Sequence, residues 1–148
     1  MSLDAALYAH LLADTDVNAL VAGRIRKSRA ETSDSLPYIV FQIISGEHLS
    51  DMKDPSGLVT KRVQVNAYQS TYELAWVLAE HVRDALQGLS STLGSGGNTL
   101  AVQNIELDGD GDIGIEPASG TQRGSQRAPH GVRMDFIVWY AESIPVHA

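Results

Sequence analysis

The sequence predicts an α+β domain with a small, mostly antiparallel sheet, two main helices packed on one face, and long polar loops. Residues 58–69 and 132–141 alternate apolar and polar side chains, as strands do. Residues 71–86 instead repeat apolar side chains every three or four positions, as helices do. Helix, strands, helix and strands follow one another, an order that favours α+β over βαβ units. The length of 148 residues predicts a single domain over 1–148.

The first elements are helical. Residues 3–13 place leucines and alanines on one face at helical spacing, so we predict a helix there. A shorter helical segment is predicted at residues 17–22. Asp14 or Asp16 can cap its start, and Gly23 is suited to end it because glycine adopts left-handed backbone conformations readily.

Two strands and two loops are predicted next. Residues 24–26 form a candidate short strand, and 27–35 a polar loop. The run YIVFQIIS at 38–45 is β-branched and aromatic, which predicts a buried strand. Residues 46–57 contain proline and two glycines and predict a long polar connection. The alternating strand at 58–69 follows.

The central helix has the clearest start signal. Ser70 and Glu73 have the spacing of a capping box, in which each side chain binds the backbone N–H of the other residue. We expect the helix to end at Gly88. Its predicted buried residues are Ala75, Leu78, Val82, Ala85 and Leu86.

The last third is predicted to contain two strands and two loops. Serine and glycine predict a flexible loop at 90–98, and a strand is expected at 100–107. Residues 108–131 are rich in glycine, serine and charge, which predicts a second long loop. The final strand, 132–141, has its apolar face at the even-numbered positions. Long loops in a small domain are usually functional or disordered.

Composition excludes several classes of protein. An apolar content of 43% is typical of a globular chain rather than a disordered one. The absence of cysteine excludes disulfides, zinc-thiolate sites and a cysteine nucleophile. A net charge of −7 argues against a surface that is wholly a nucleic-acid platform. We expect no signal peptide, because the N-terminal segment lacks a basic start and an unbroken apolar core, and no membrane span, because no run approaches 18 apolar residues.

The stretch LDGDGDIGIEP, at residues 107–117, resembles the start of a calcium-binding loop. Asp108, Asp110 and Asp112 occupy ligand positions 1, 3 and 5 of an EF-hand. Position 6 is Ile113 where the motif has glycine, and position 12 is Ser119 where it has a bidentate glutamate. These residues are a weak metal candidate, and we favour a solvated acidic turn that opens the long loop. We expect no cofactor.

Other side chains give no catalytic pattern. The five histidines are not paired at ligand spacing, and His10 is expected to be packed and hydrogen-bonded. Asp135 is expected on the outer face of the last strand beside a cation. The sequence contains no nucleotide-binding loop and no serine-hydrolase motif, so we predict a protein that is not an enzyme.

One basic segment stands out from the acidic background. GRIRKSR, at residues 23–29, contains Arg24, Arg26, Lys27 and Arg29. We favour a solvated loop. The functional alternative is a basic surface that meets an acidic partner or passing nucleic acid.

Five stretches in order resemble the tail completion, or tail terminator, proteins of long-tailed bacteriophages, prophages and phage-like particles. Together they cover about half the chain and extend from end to end. The stretches are LYAHLLAD (7–14), VNALVAGRI (17–25), LPYIVFQIISG (36–46), GLVTKRVQVNAYQSTYELAWVLAEHVRDAL (57–86) and MDFIVWYAE (134–142).

The resemblance implies a virion structural protein without catalytic activity. It implies a ring, hexameric in the family, on the head-proximal end of the tail tube, where it stops tube polymerisation and presents a surface to the head connector. The implied partners are other copies of the chain, the tail tube protein and a neck protein, with DNA passing through the lumen without specific binding, no membrane contact, and assembly in the bacterial cytoplasm. The candidate interface residues are Arg24, Arg26, Lys27, Arg29, Glu47, Asp51, Lys53, Asp54, Arg62, Gln64, Asp110, Asp112, Arg123 and Arg127.

Three alternatives remain open from the sequence. A neighbouring neck protein, for head-tail joining or head completion, would bind the portal side instead of the tube. A calcium-dependent binding module would use the three aspartates of the acidic stretch. A small hydrolase would need a pocket with perturbed carboxylates, for which the sequence nominates no residues.

Overall fold

Helices and strands follow the order that the sequence predicts, with more strand than expected. The structure is a computed structural model that describes residues 3–28, 35–50, 55–113 and 130–141. Over these residues the α+β class is confirmed, with three helices and a six-stranded, curled, mixed sheet. The elements are α1 (Leu3–Ala13), α2 (Thr15–Val21), β1 (Ile25–Lys27), β2 (Tyr38–Ser50), β3 (Pro55–Gln69), α3 (Tyr72–Leu86), β4 (Thr92–Ser95), β5 (Asn98–Ile113) and β6 (His130–Ala141).

The sheet has the strand order β1-β2-β3-β6-β5-β4. β1 pairs with β2 in parallel, and the other neighbours pair antiparallel. The chain passes from Ser50 to Pro55 at one end of the sheet. It leaves β5 at Ile113 and returns at Gly131 at the opposite end. The two long connections are therefore attached to opposite ends of the strands.

One face of the sheet and the helices enclose a single hydrophobic cluster. We call this face the helix face and the opposite one the polar face. On β6 the predicted alternation is confirmed, since the even-numbered residues from 132 to 140 are all at most 4% exposed. The apolar positions that pair with them on β3 are buried as well, because directly paired residues share a face. The buried residues on β3 are Val59, Val63, Val65 and Ala67.

The N-terminal helices begin and end much as predicted. Asp14 caps α2, and its Oδ1 accepts a hydrogen bond from the Val17 backbone N–H at 3.0 Å. Ala22 and Gly23 follow with φ angles of 48° and 81°, which turns the chain towards β1. Glycine suits this position because it adopts left-handed conformations without steric cost.

The predicted capping box of α3 is wrong. The N-cap is Thr71, whose Oγ1 accepts from the Leu74 N–H at 3.2 Å. Ser70 instead donates its backbone N–H to Gln69 Oε1 at 2.8 Å. The cap lies one residue later because β3 continues to Gln69 and holds Ser70 outside the helix. Ala79 is buried in α3, while Ala85 is only half-buried.

Three predicted loops are partly strand. Residues 46–50 and 55–57 lengthen the β2–β3 hairpin, 92–95 form β4, and 108–113 extend β5. Polar, glycine-rich composition predicted loops, but the neighbouring strands offer hydrogen-bond partners to these backbones and so extend the ladders. Residues 51–54 and 114–129 lie outside the described part of the chain.

Candidate functional site

Ordered polar side chains line the polar face along β3. Gln64 accepts from Gln42 Nε2 on β2 at 3.5 Å and donates to Asn66 Oδ1 at 3.1 Å. Arg62, two residues earlier on the same face, approaches Asp108 Oδ2 at 2.8 Å and Asp135 Oδ2 at 4.0 Å. The predicted interface residues Arg62 and Gln64 therefore belong to one polar row across four strands.

A second cation, Arg133, lies beside the charged residues of this row. Arg133 Nε lies 3.8 Å from Asp135 Oδ2 on β6. The expected place of Asp135, on the outer face beside a cation, is confirmed. The side chains of Arg62 and Asp108 are 36% and 46% exposed, so these charges remain accessible to a partner.

Two tyrosines lie on the same face beside the amide row. The rings of Tyr38 and Tyr68 are 5.0 Å apart between centroids. Burial raises the pKa of Tyr68, the neighbouring Tyr38 raises it further, and a hydrogen bond with Asn66 opposes both. A Cβ at Gly131 would lie 2.9 Å from Ile113 Cδ1 and 3.0 Å from Tyr68 Cε1, so a side chain at this position would have to displace these neighbours.

The three aspartates of the calcium-like stretch do not converge. β5 shifts its register between Leu107 and Gly109, which leaves Asp108 as an extra residue in a bulge. Asp108 contacts Arg62 on the polar face, whereas Asp112 accepts from Trp76 Nε1 of α3 at 3.0 Å on the helix face. Asp110 shares the helix face with Asp112, since both alternate with Gly111.

This arrangement opposes a calcium site built from the three aspartates. The predicted acidic turn is wrong, because these residues pair with β6 as strand. One ion cannot contact carboxylates on opposite faces of a sheet at the 2.3–2.6 Å of calcium ligation. Within the described ranges, no cluster of three or more histidine, aspartate or glutamate side chains could hold a metal.

Residues 25–27 of the basic segment form a strand, where the sequence predicts a solvated loop, and two of its cations have partners. Arg24 donates from Nε to the Pro37 carbonyl at 2.9 Å, and Lys27 Nζ lies 3.2 Å from Asp4 Oδ2. Arg26 lies between them in β1. These side chains lie near the outer edge of β1, far along the sheet from β5.

Seven predicted interface residues remain to be placed. Glu47 lies in β2, paired with Thr60 of β3. The other six lie outside the described residues; they are Arg29, Asp51, Lys53, Asp54, Arg123 and Arg127.

His10 is packed and hydrogen-bonded as predicted. Its Nδ1 accepts from the Gly94 N–H at 3.1 Å, and its Nε2 lies 2.9 Å from the Ala85 carbonyl. The Gly94 donor therefore fixes the tautomer with hydrogen on Nε2. His10 is a structural link between α1, α3 and β4.

Sequence reasoning missed the exposed apolar side chains. Ile43 and Ile44 on β2 are 39% and 47% exposed. The register of β2 shifts between Ile43 and Ser45. Two adjacent isoleucines in a strand signal that one of them is exposed, because neighbours in a regular strand face opposite sides. On α3, Tyr72, Leu74 and Val77 are 41–49% exposed, at positions that the buried stripe of the helix does not include.

Two cavities lie near these groups. One of about 90 Å³ lies between Trp76, Arg83 and Asp110, well below the roughly 300 Å³ of small-molecule sites. One of about 310 Å³ lies where β1 ends, beside Phe41 and Ile43. No helix in the described residues has the length and apolar character to cross a membrane. The ordered polar face and the exposed apolar side chains favour contacts with other proteins.

Most of the chain is similar to a known protein family. Residues 5–141 match the family described as Tail completion protein gp17. The chain belongs to this family. It is therefore a structural protein of a phage or phage-like tail. The comparison with curated proteins gives no match.

A solved structure shares the fold of this tail completion protein. The structure is described as the virion of a native gene transfer agent particle, and it aligns with a TM-score of 0.63 at 18% identity. The alignment covers 95% of this chain and 93% of that chain. The shared architecture thus extends over nearly the whole length of both.

Proposed function

We propose that this chain is a single domain that forms a ring, hexameric as in the resemblance, on the head-proximal end of the tail tube. The ring stops tube polymerisation and presents a surface for head joining, without catalysis. The observation that carries the proposal is the match to the tail completion family over residues 5–141. The fold shared with a chain of a gene transfer agent virion supports it.

The direction of the strands supports a protein with two different partners. The β2–β3 and β5–β6 connections leave the sheet at opposite ends. In a ring whose strands run roughly along the axis, one connection points towards the tube and the other towards the neck. DNA passes through the lumen without specific binding, and assembly occurs in the bacterial cytoplasm.

The polar face supplies contacts of the kind that assembly proteins use. Arg62, Gln64 and Asp108 form an ordered, partly exposed row rather than a scatter of mobile side chains. Ordered polar groups set the register and specificity of an interface, while apolar side chains supply more of its affinity. We assign this row to contacts with the tail tube protein or a neighbouring copy.

A complementation assay tests this function. Removal of the chain from a producing strain should give tails of irregular, excess length that do not join heads, seen by electron microscopy. Supplying the chain in trans should restore defined tails. Tails of normal length that carry heads in its absence would contradict the proposal.

A pull-down separates the second candidate, a head-tail joining or head-completion protein. A terminator binds the ends of tube protein, whereas a head-completion protein binds the portal side. We expect capture of tube ends. Light scattering of the purified chain over a concentration series adds the assembly state, and a species near six times 15.9 kDa supports a preformed ring.

A loop deletion asks what the second connection does. Removing residues 114–128 spares β5, which ends at Ile113. If the connection contacts the neck, tails should keep their normal length and lose head joining. The matched control replaces the same residues with a glycine-serine linker of equal length, which keeps the hairpin closed but removes the side chains.

A further inference from the structure

Both outer edges of the sheet are open over part of their length. β1 pairs only with Ile39, Val40 and Phe41 of β2. Within the described part of the chain, residues 42–50 therefore have a strand partner on the β3 side alone. An edge of this kind presents unpaired backbone N–H and C=O groups to a further strand.

The opposite edge is open in the same way. β4 pairs with residues 98–101 of β5, and the segment after α3 binds the backbone of Val102 and Ile105. Beyond these contacts, residues 106–113 pair only with β6 among the described strands. Each free segment is longer than a typical strand of five or six residues.

The two edges carry opposite charge. β5 contains four carboxylates and no lysine or arginine; they are Glu106, Asp108, Asp110 and Asp112. At the other edge β1 contains Arg26 and Lys27 and follows Arg24, and these cations outnumber Glu47 of β2 and Asp4, which pairs with Lys27, so this edge is net positive. Opposite charges on facing edges attract, and they remain partly effective at physiological salt over distances below about 8 Å.

The same charges select which edges meet. Two copies joined through β5 would bring eight carboxylates together, so a symmetric β5–β5 dimer is disfavoured. Contact of a basic edge with an acidic edge leaves one edge of each kind free. Repeated head to tail, this contact gives a ring when the rotation closes.

We propose that the β1–β2 edge of one copy binds the β5 edge of the next copy, so that the sheets join across the ring. The inference rests on the ring of the proposed function and names its interface. In a cyclic ring all copies of one strand run in the same direction. β2 and β5 run in opposite directions in the sheet, so the joined strands are antiparallel.

Apolar contacts accompany the backbone pairing. Ile43 and Ile44, 39% and 47% exposed, lie within the free segment of β2 and are covered by the incoming strand. The cavity of about 310 Å³ at the end of β1 lies beside them. It offers room for a side chain from the neighbour.

The free segments also set the displacement between copies. Within one copy, the strand pairings across β3 and β6 place Gln42 and Gly109 at the same position along the strand direction. They do the same for Tyr38 and Ile113. If residues 42–50 of one copy pair fully with residues 106–113 of the next, the two copies must be displaced along the strand direction by roughly four residues, about 13 Å. Closed barrels require such staggers because their strands tilt against the axis.

Cysteine cross-linking tests the interface on a clean background, because the chain has no cysteine of its own. If Gln42 lies opposite Ile113 and the bulge at Ile44 is skipped, Ser45 lies opposite Gly111. Directly opposed antiparallel residues have Cα atoms roughly 4.5–5.5 Å apart, within disulfide range. The variant S45C/G111C is assembled on tails by complementation and oxidised.

We expect a ladder of covalent oligomers on a non-reducing gel that ends at the size of the ring. The single variants S45C and G111C can give at most a dimer. A matched pair, S45C/E80C, places the second cysteine on the exposed side of α3 and should not give a ladder. Tails of normal length that show no ladder above the singles overturn this interface and leave the proposed function standing.

Charge reversal provides a second measurement that does not need a disulfide. K27E and D112K should each weaken ring association, by about five-fold per interface, as expected for exposed ion pairs, because Asp112 then lies opposite Ile43, two residues from the Phe41 partner of Lys27. Combining them should restore association. Circular dichroism confirms folding of each variant, and a double variant no better than the singles contradicts the pairing of these edges. Failure of the wild-type chain to bind tube ends would instead contradict the proposed function.

Discussion

The two faces of the sheet use the same strands for different purposes. On β6, Phe136 is 1% exposed against the helices, while its neighbours Asp135 and Ile137 lie on the polar face and are half-buried. The helix face is apolar and closely packed, as the cores of stable domains are. The polar face is ordered by hydrogen bonds and ion pairs that contribute little to stability when exposed. Stability and recognition are thus separated by the two-residue period of the strands.

The largest expected loss of stability comes from a substitution on the helix face. F136A removes a buried aromatic side chain and should lower the free energy of unfolding by about 3–5 kcal/mol, through lost burial and the cavity left behind. Urea unfolding measures the loss. The matched control, I137A, is one residue away on the polar face and should cost about 1 kcal/mol. Equal losses would show that the two faces do not differ in the way described.

A half-buried polar link on the helix side comes next. H10A removes the partners of the Gly94 N–H and the Ala85 carbonyl, which should cost about 1–3 kcal/mol. The control H81A changes a histidine on α3 and should stay within about 0.5 kcal/mol. Thermal unfolding compares them, and an H10A variant as stable as wild type would contradict the linking role.

The helix cap gives a smaller and more discriminating effect. T71A leaves the Leu74 N–H without its acceptor and should cost about 1 kcal/mol. S70A tests the capping box predicted from the sequence and should change stability by less than about 0.5 kcal/mol. Chemical denaturation of both variants decides between the two caps. A larger loss for S70A would restore the sequence-based assignment.

On the polar face, stability and assembly should separate. R62A removes contacts to Asp108 and Asp135, which should change the free energy of unfolding by only about 0–1 kcal/mol. Tail completion in the complementation assay should nevertheless fall. The control is K61A, which changes the residue directly before Arg62 on β3. Lys61 lies on the opposite face of the strand, so this variant should complement normally. An R62A variant with wild-type tails would remove the assembly role of this row.

The smallest effect concerns alkaline stability. Because the pKa of Tyr68 is raised above its ordinary value of 10.0, the folded state holds its proton more tightly than the unfolded state. This contribution to stability is fully present below pH 10 and is lost as pH rises through the raised pKa. Y68F should therefore lose less stability than wild type as the pH rises above 10. Y72F, which alters an exposed tyrosine on α3, is the control, and unfolding at each pH is the measurement.

Local sequence patterns were enough to predict the regular elements and the family. The spacing of apolar residues predicted α1, α3 and β6, because an element that buries one face needs apolar side chains at every second, third or fourth residue. The same spacing predicted that His10 is packed and hydrogen-bonded. The ordered stretches that resemble tail completion proteins include most of the residues of these elements. The match over residues 5–141 confirms the resemblance.

Local patterns did not predict where the polar segments pair or which face of the sheet their side chains occupy. Strand 108–113 and the hairpin extension at 46–50 were predicted as loops, since local composition does not reveal that a neighbouring strand will satisfy the backbone. The bulge at Asp108 then sends it to Arg62 and leaves Asp112 beside Trp76. A one-residue change of register reverses the faces of a strand, and register is a property of pairing between segments distant in sequence.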